Sequence, residues 1–227
     1  MAEEATQSTE VAEDDRAIEA EAPEGLDPER LERRDAALAQ VVKFGDPVLR
    51  SVASPVADFD QGLAAEVERM SGLMQDGMGV GLAATQLGIL RRILVFQAGP
   101  DAPVTALINP VVEWSSERDL ITAEEGCLSL PKIVVDVERP LHIRVRAQDP
   151  AGEALSVEAS GLEARVIQHE VDHLDGVLIL QRAPRDQSRA ALSALREGSS
   201  YSPEHESDAE GTEGENGGPP AEAPLSA

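Results

Sequence analysis

His169 and His173, within Gln168-His169-Glu170-Val171-Asp172-His173-Leu174-Asp175-Gly176, have residue types and a spacing that could do chemistry. On a helix, side chains four apart share a face, so both imidazoles can reach one metal ion while Glu170 stands beside it. This suits metal-assisted hydrolysis, in which two neutral histidines hold the ion and a carboxylate moves protons for water. Two surface histidines on an amphipathic helix would show the same spacing, so the pair alone does not separate the two readings.

A third ligand decides the chemistry. One group of zinc proteases continues the pattern as His-Glu-x-x-His-x-x-Gly-x-x-His. Here Gly176 is in place, but Ile179 stands where the last histidine is required. Downstream, Asp186 is the only candidate in core-forming sequence, since Glu197 and His205 fall in an acidic tail. Upstream lies Cys127, in Glu124-Glu125-Gly126-Cys127-Leu128-Ser129-Leu130-Pro131. A free cysteine is often a small buried hydrophobe. As a thiolate it is also a strong ligand, and with two histidines it leaves a fourth position open to water.

These residues need elements to position them. Ser160 and Glu163 read as a capping box that starts a helix, Leu162, Val166, Ile167, Val171 and Leu174 give it helical apolar spacing, and Asp175-Gly176 reads as its stop. Residues 61–75 form a second helix through Leu63, Val67, Met70 and Met74. Residues 31–42 form a short helix or fray into the tail, and 185–196 form a last helix. Residues 77–86 are rich in small side chains and read as a loop that lets backbone approach a ligand or a neighbouring chain. Residues 92–96, 104–109, 141–147 and 154–158 are of strand length, the last two closing a hairpin over Asp149-Pro150-Ala151-Gly152. His142, on the third of these strands, reads as a satisfied or surface histidine. Strands ahead of one central helix, without regular alternation, give an α+β class with antiparallel sheets packed around a metal-binding helix.

Charge divides the chain of 227 residues. Residues 1–35 carry 13 acidic and 4 basic side chains, 197–227 carry 8 and none, and 36–196 carry 22 and 15. Both ends read as disordered acidic tails, with too little apolar surface to offset the entropy of ordering, and 36–196 as a single catalytic domain. No apolar run is long enough to span a membrane and the acidic N-terminus does not read as a signal peptide, so a cytoplasmic protein is expected. One cysteine agrees with a reducing compartment. The charge of −24 without a basic run argues against direct binding to nucleic acid.

Three blocks taken together carry a resemblance. Gly79-Val80-Gly81-Leu82-Ala83-Ala84-Thr85-Gln86, Glu125-Gly126-Cys127-Leu128-Ser129 and Gln168-His169-Glu170-Val171-Asp172-His173-Leu174 resemble, in order and spacing, the three signature motifs of bacterial peptide deformylases. The resemblance runs from about residue 41 to residue 180 and leaves out both tails. It implies an α+β fold and removal of the N-formyl group from the initiator methionine of nascent chains, with release of formate. By position, Cys127, His169 and His173 would hold one divalent ion, Glu170 would be general base and then acid, and Gln86 with the Leu128 amide would donate to the oxyanion. Gly79, Val80 and Gly81 would shape the substrate cleft. Glu125 and Arg139 would form an ion pair supporting the cysteine loop.

Imidazole and thiolate suit zinc and ferrous iron alike. The resemblance points to Fe2+ as the active ion, with Zn2+, Ni2+ or Co2+ as substitutes. Val80, Val166 and Ile167 are candidates for the methionine pocket. Val134 stands at a position, seven after the cysteine, that is basic in some family members, which leaves recognition beyond methionine open. Formylmethionyl nascent peptides are the implied partners, with ribosome proximity and neither membrane nor direct nucleic-acid contact. Two other readings stay open: a metallopeptidase cleaving internal bonds, and a silent member acting as a metal- or ribosome-binding module.

Overall fold

The computed structural model describes residues 27–204. Helix α1 (Pro28–Leu38) starts at Asp27, whose carboxylate accepts the Arg30 N–H, with Pro28 at a position where an N–H would lack a partner. After a 3-10 turn at Pro47–Arg50, α2 (Gln61–Asp76) buries Leu63, Met70 and Met74 of its predicted apolar stripe.

The small-residue stretch after α2 is more ordered than a loop. It contains β1 (Gly81–Ala83) and a 3-10 turn (Ala84–Leu87), because β1 is recruited by antiparallel pairing with β2 (Ile93–Phe96), Leu82 opposite Val95. Strand β3 (Thr105–Ser115) continues past the expected end at Asn109. Asn109 adopts φ 53° at a register shift, and its side chain meets both the N–H and the C=O of Val56. Pro110, which has no N–H to offer, thus sits where the ladder is already interrupted.

Next come β4 (Leu120–Glu125), β5 (Val135–Pro140), β6 (His142–Gln148) and β7 (Ala154–Ser160). The main sheet runs β1-β2-β3-β6-β7 with antiparallel neighbours, and β4 with β5 forms a separate two-stranded sheet.

Helix α3 (Gly161–Leu174) packs against strands of both sheets and buries 10 of its residues. Its capping box does not form. Ser160 sits at the N-cap without capping the helix; its hydroxyl lies 2.8 Å from Nδ1 of His142 across the β6–β7 pair, which also satisfies that histidine. The stop is as predicted: Gly176 takes φ +71°, and a Cβ there would lie 2.7 Å from the Arg50 carbonyl. Residues 177–180 lead into a short helix, α4 (Ile179–Arg182), followed by α5 (Arg185–Glu197).

Most of the two expected tails, residues 1–26 and 205–227, lies outside the described residues. The boundaries themselves move. Helix α1 already runs from Pro28, ahead of the domain start expected at residue 36, with Ala37 buried and Arg33 facing Asp76. At the other end, Gly198 closes α5 in the left-handed region, and the chain then turns back onto the fold instead of leaving it at residue 197. Tyr201 donates its N–H to Lys132 and accepts that of Val134, and its ring packs on the core cluster containing Leu130, Ile133 and Cys127. Among the described residues no helix is long and apolar enough to cross a membrane.

Candidate metal centre

Helix α3 delivers His169, Glu170 and His173 to the protein interior, and the turn after β4 brings Cys127 to meet them. One ligand atom from each of Cys127, His169 and His173 falls within 4.8 Å of the others, and Sγ of Cys127 is 3.2 Å from Nε2 of His173. Glu125 settles the tautomer of His169: its Oε2 lies 3.0 Å from Nδ1 and accepts that proton, leaving Nε2 as the ligand atom.

Burial by itself would raise the Cys127 thiol. The charge of His173 and hydrogen bonds from both histidines outweigh it and hold the thiol well below its usual range. Burial likewise opposes protonation of His169, but its hydrogen bonds to Cys127 and Glu125 win and raise it. A thiolate and two imidazoles drawn together by shared protons are what a divalent ion, which displaces those protons, would bind. The residues fit such an ion and leave it an open position.

The turn bearing Cys127 and the 3-10 turn bearing Gln86 are both braced by the segment before the first 3-10 turn. Val42 N–H donates to the Gln86 carbonyl (2.7 Å), Phe44 N–H to that of Ser129 (2.8 Å), and Lys43 Nζ to that of Leu128 (2.9 Å). Gln86 is buried and faces two ways. Its Oε1 accepts the Ala83 N–H at 2.8 Å, while Nε2 lies 3.4 Å from Ser129 Oγ and 3.7 Å from Cys127 Sγ. The side-chain amide therefore shapes its own loop and turns its donor end toward the sulfur.

Glu170 is 2% exposed, and its Oε2 has no hydrogen-bond partner. Burial pushes its carboxyl up to about 7, with the two histidines opposing the shift and Cys127 adding to it. A buried carboxylate with one oxygen unpartnered, pushed up toward neutrality, is suited to carrying a proton in both directions. Gly81 packs directly on it. Val80 is only partly buried, its carbonyl accepting the Gln97 N–H, and Gly79 N–H donates to Met74. Val166 and Ile167 show no exposed surface and belong to the core, so of the three pocket candidates only Val80 faces solvent at all. At Val134 the backbone N–H is taken up by Tyr201.

The ion pair implied for Glu125 and Arg139 is present, buried and bidentate, with contacts of 2.5 and 2.8 Å. It extends further than the sequence suggests. Arg139 also donates to Asp172 at 2.9 Å, Arg182 caps Asp172 from outside, and Arg165 reaches Glu125 at 2.7 Å. Arg165 and Arg182 are not singled out from the sequence, and Asp172 appears there only as a motif position without a role. Helical spacing could have found Arg165, which stands four before His169 on the same face.

Comparison with known proteins agrees with this geometry. The profile of the family described as Polypeptide deformylase matches residues 38–189. A peptide deformylase of Parafrankia sp. (strain EAN1pec) is 46% identical over 154 residues, covering 68% of this chain and 83% of the relative. The peptide deformylase of Thermotoga neapolitana is 51% identical over 140 residues, covering 61% and 83%. Among solved structures, the peptide deformylase of Thermus thermophilus superposes with a TM-score of 0.65 at 41% identity, covering 70% of this chain and 93% of that one.

Proposed function

The chain belongs to the polypeptide deformylase family, and from that membership we propose that Cys127, His169 and His173 hold one divalent ion at which formyl groups are removed from N-terminal methionine. The observation that carries this reading is the meeting of three buried ligand atoms within 4.8 Å beside the unpartnered Oε2 of Glu170. We assign the ion as Fe2+ from the family resemblance, since imidazole and thiolate suit zinc as well, with Zn2+, Ni2+ or Co2+ able to stand in.

A bound ion supplies Lewis-acid charge and makes water acidic near neutral pH. The side chains do the rest. Glu170 takes a proton from the attacking water as the new C–O bond forms at the formyl carbon. Gln86 Nε2 and the Leu128 N–H donate to the oxygen that gains negative charge. Glu170 then gives its proton to the nitrogen as the C–N bond breaks, leaving formate and a free amine. Glu125 keeps His169 in the tautomer that presents Nε2. Gly79, Val80 and Gly81 border the cleft in which the formylated chain end lies.

The substrate is a newly made polypeptide, which accords with action in the cytoplasm close to the ribosome. Formate release from a formyl-Met tripeptide by anaerobically purified protein tests the reading. Formate in step with metal content is expected, with no cleavage of the acetylated peptide. Internal cleavage without formate would replace this activity with that of a metallopeptidase, and binding without turnover would make the chain a silent member.

A further inference from the structure

Arg165 has no part in the reaction above, yet it is buried behind the site, against Glu125. It precedes His169 by four residues and His173 by eight, so the three side chains descend one face of α3. Its Nη1 donates to Glu125 Oε1 at 2.7 Å and to the Val137 carbonyl at 2.9 Å, and its Nη2 donates to the Ile121 carbonyl at 2.8 Å. Ile121 lies on β4 and Val137 on β5, opposite strands of the hairpin that carries Glu125 and leads directly into Cys127. The Glu125–Arg139 pair lies within that hairpin and touches the helix at His169 and Asp172, toward its C-terminal end. Arg165 crosses from helix to hairpin, and at Glu125 it meets the same carboxylate that receives the His169 proton.

We propose that Arg165 is a positioning residue for the metal ligands. Through Glu125 it fixes the ring of His169, and through the two strand carbonyls it sets the histidine helix in register with Cys127. One planar guanidinium has enough donors for all three acceptors; an ammonium on a flexible stem does not hold that fork. The proposal rests on the reading of Cys127, His169 and His173 as one metal site.

Co2+ added to the full chain under anaerobic conditions is the probe. Affinity is read by chelator competition, and ligand geometry by the thiolate charge-transfer and d–d absorption. Arg165→Met should weaken Co2+ binding about 10–100-fold, the scale for losing a partner behind a ligand, and alter the absorption bands. Arg165→Lys, which keeps the charge but not the fork, should fall between Met and parent, and it decides the matter if the Met variant does not fold. In the double variant with Glu125→Gln the two losses should combine to less than their product, because both act on His169. Parent-like affinity and bands in variants that have lost only melting temperature would make Arg165 a scaffold residue and overturn the proposal. Losses that multiply independently would remove Glu125 as its route. A parent chain that binds no Co2+ with a thiolate band would overturn the metal site itself, and Arg165's role with it.

Discussion

Gly81 leaves no room for a side chain because Glu170 occupies the space: a Cβ built on it would overlap Glu170 Oε1 and lie 2.9 Å from both Cδ and Cγ. The glycine is thus what lets the Glu170 carboxylate rest against β1. Gly81→Ala should displace Glu170 while leaving the three ligands in place. Turnover should fall by about 10²-fold, the cost of misplacing a reacting group by roughly 1 Å, with metal content unchanged. Parent-like kcat at full metal content would mean that Glu170 can work from another position.

Gln86 is tied at both ends, so its replacement should show two effects. Gln86→Leu removes the Nε2 donor and should lower kcat by about 10²–10³-fold with little change in KM. It also strips the buried Ala83 N–H of its acceptor, so the melting temperature should drop, in line with roughly 1–3 kcal/mol for an unsatisfied buried group. A rise in KM with kcat unchanged would place Gln86 in the scaffold alone.

The helix bearing His169 and His173 was legible because its apolar spacing, its stop and its paired histidines agree with one another. The hairpin that completes the site was not. Strands β4 and β5 place Glu125 and Arg139 on inward-facing positions, where a sequence pattern expects apolar residues. Each is tolerated there because buried partners, the other foremost among them, answer its charge, and spacing along the chain does not reveal that Glu125–Arg139 pairing. Asp172 went without a role for the same reason, since its partner Arg139 lies on another element. Ser160 and Glu163 had the types for a capping box, but a cross-strand partner, His142, took the serine hydroxyl first. Tyr201 sits in acidic, low-complexity surroundings, so its docking depends on an edge at Lys132–Val134 that only the folded chain creates.

That docking bears on truncation. A chain cut to residues 27–204 should match the parent in thermal stability and formate release. Cutting to 36–196 removes most of α1 and the Tyr201 strap beside the Cys127 turn, and should lower the melting temperature. Equal melting temperatures for the two truncated chains would show that neither segment contributes.

Acidification should expose the role of Glu125. Burial alone would raise its carboxyl, but Arg139 and then His169, through hydrogen bonds and charge, hold it far below the ordinary range. A depressed folded value gives a contribution that is complete above the unfolded value of about 4.3 and lost as pH falls through the folded one. The melting-temperature gap between metal-free parent and metal-free Glu125→Gln should therefore hold steady down to about pH 5 and narrow below it. A gap unchanged between about pH 5 and pH 3 would contradict this assignment.

Formate released per bound ion by Glu170→Ala is the most direct measure of whether the buried carboxylate beside Cys127, His169 and His173 carries the reaction. The three ligands are untouched, so the variant should keep about one ion per chain. Its turnover of a formyl-Met peptide should fall by about 10²–10⁴-fold for want of a proton carrier. Near-parental formate release from the metal-loaded variant would contradict the account.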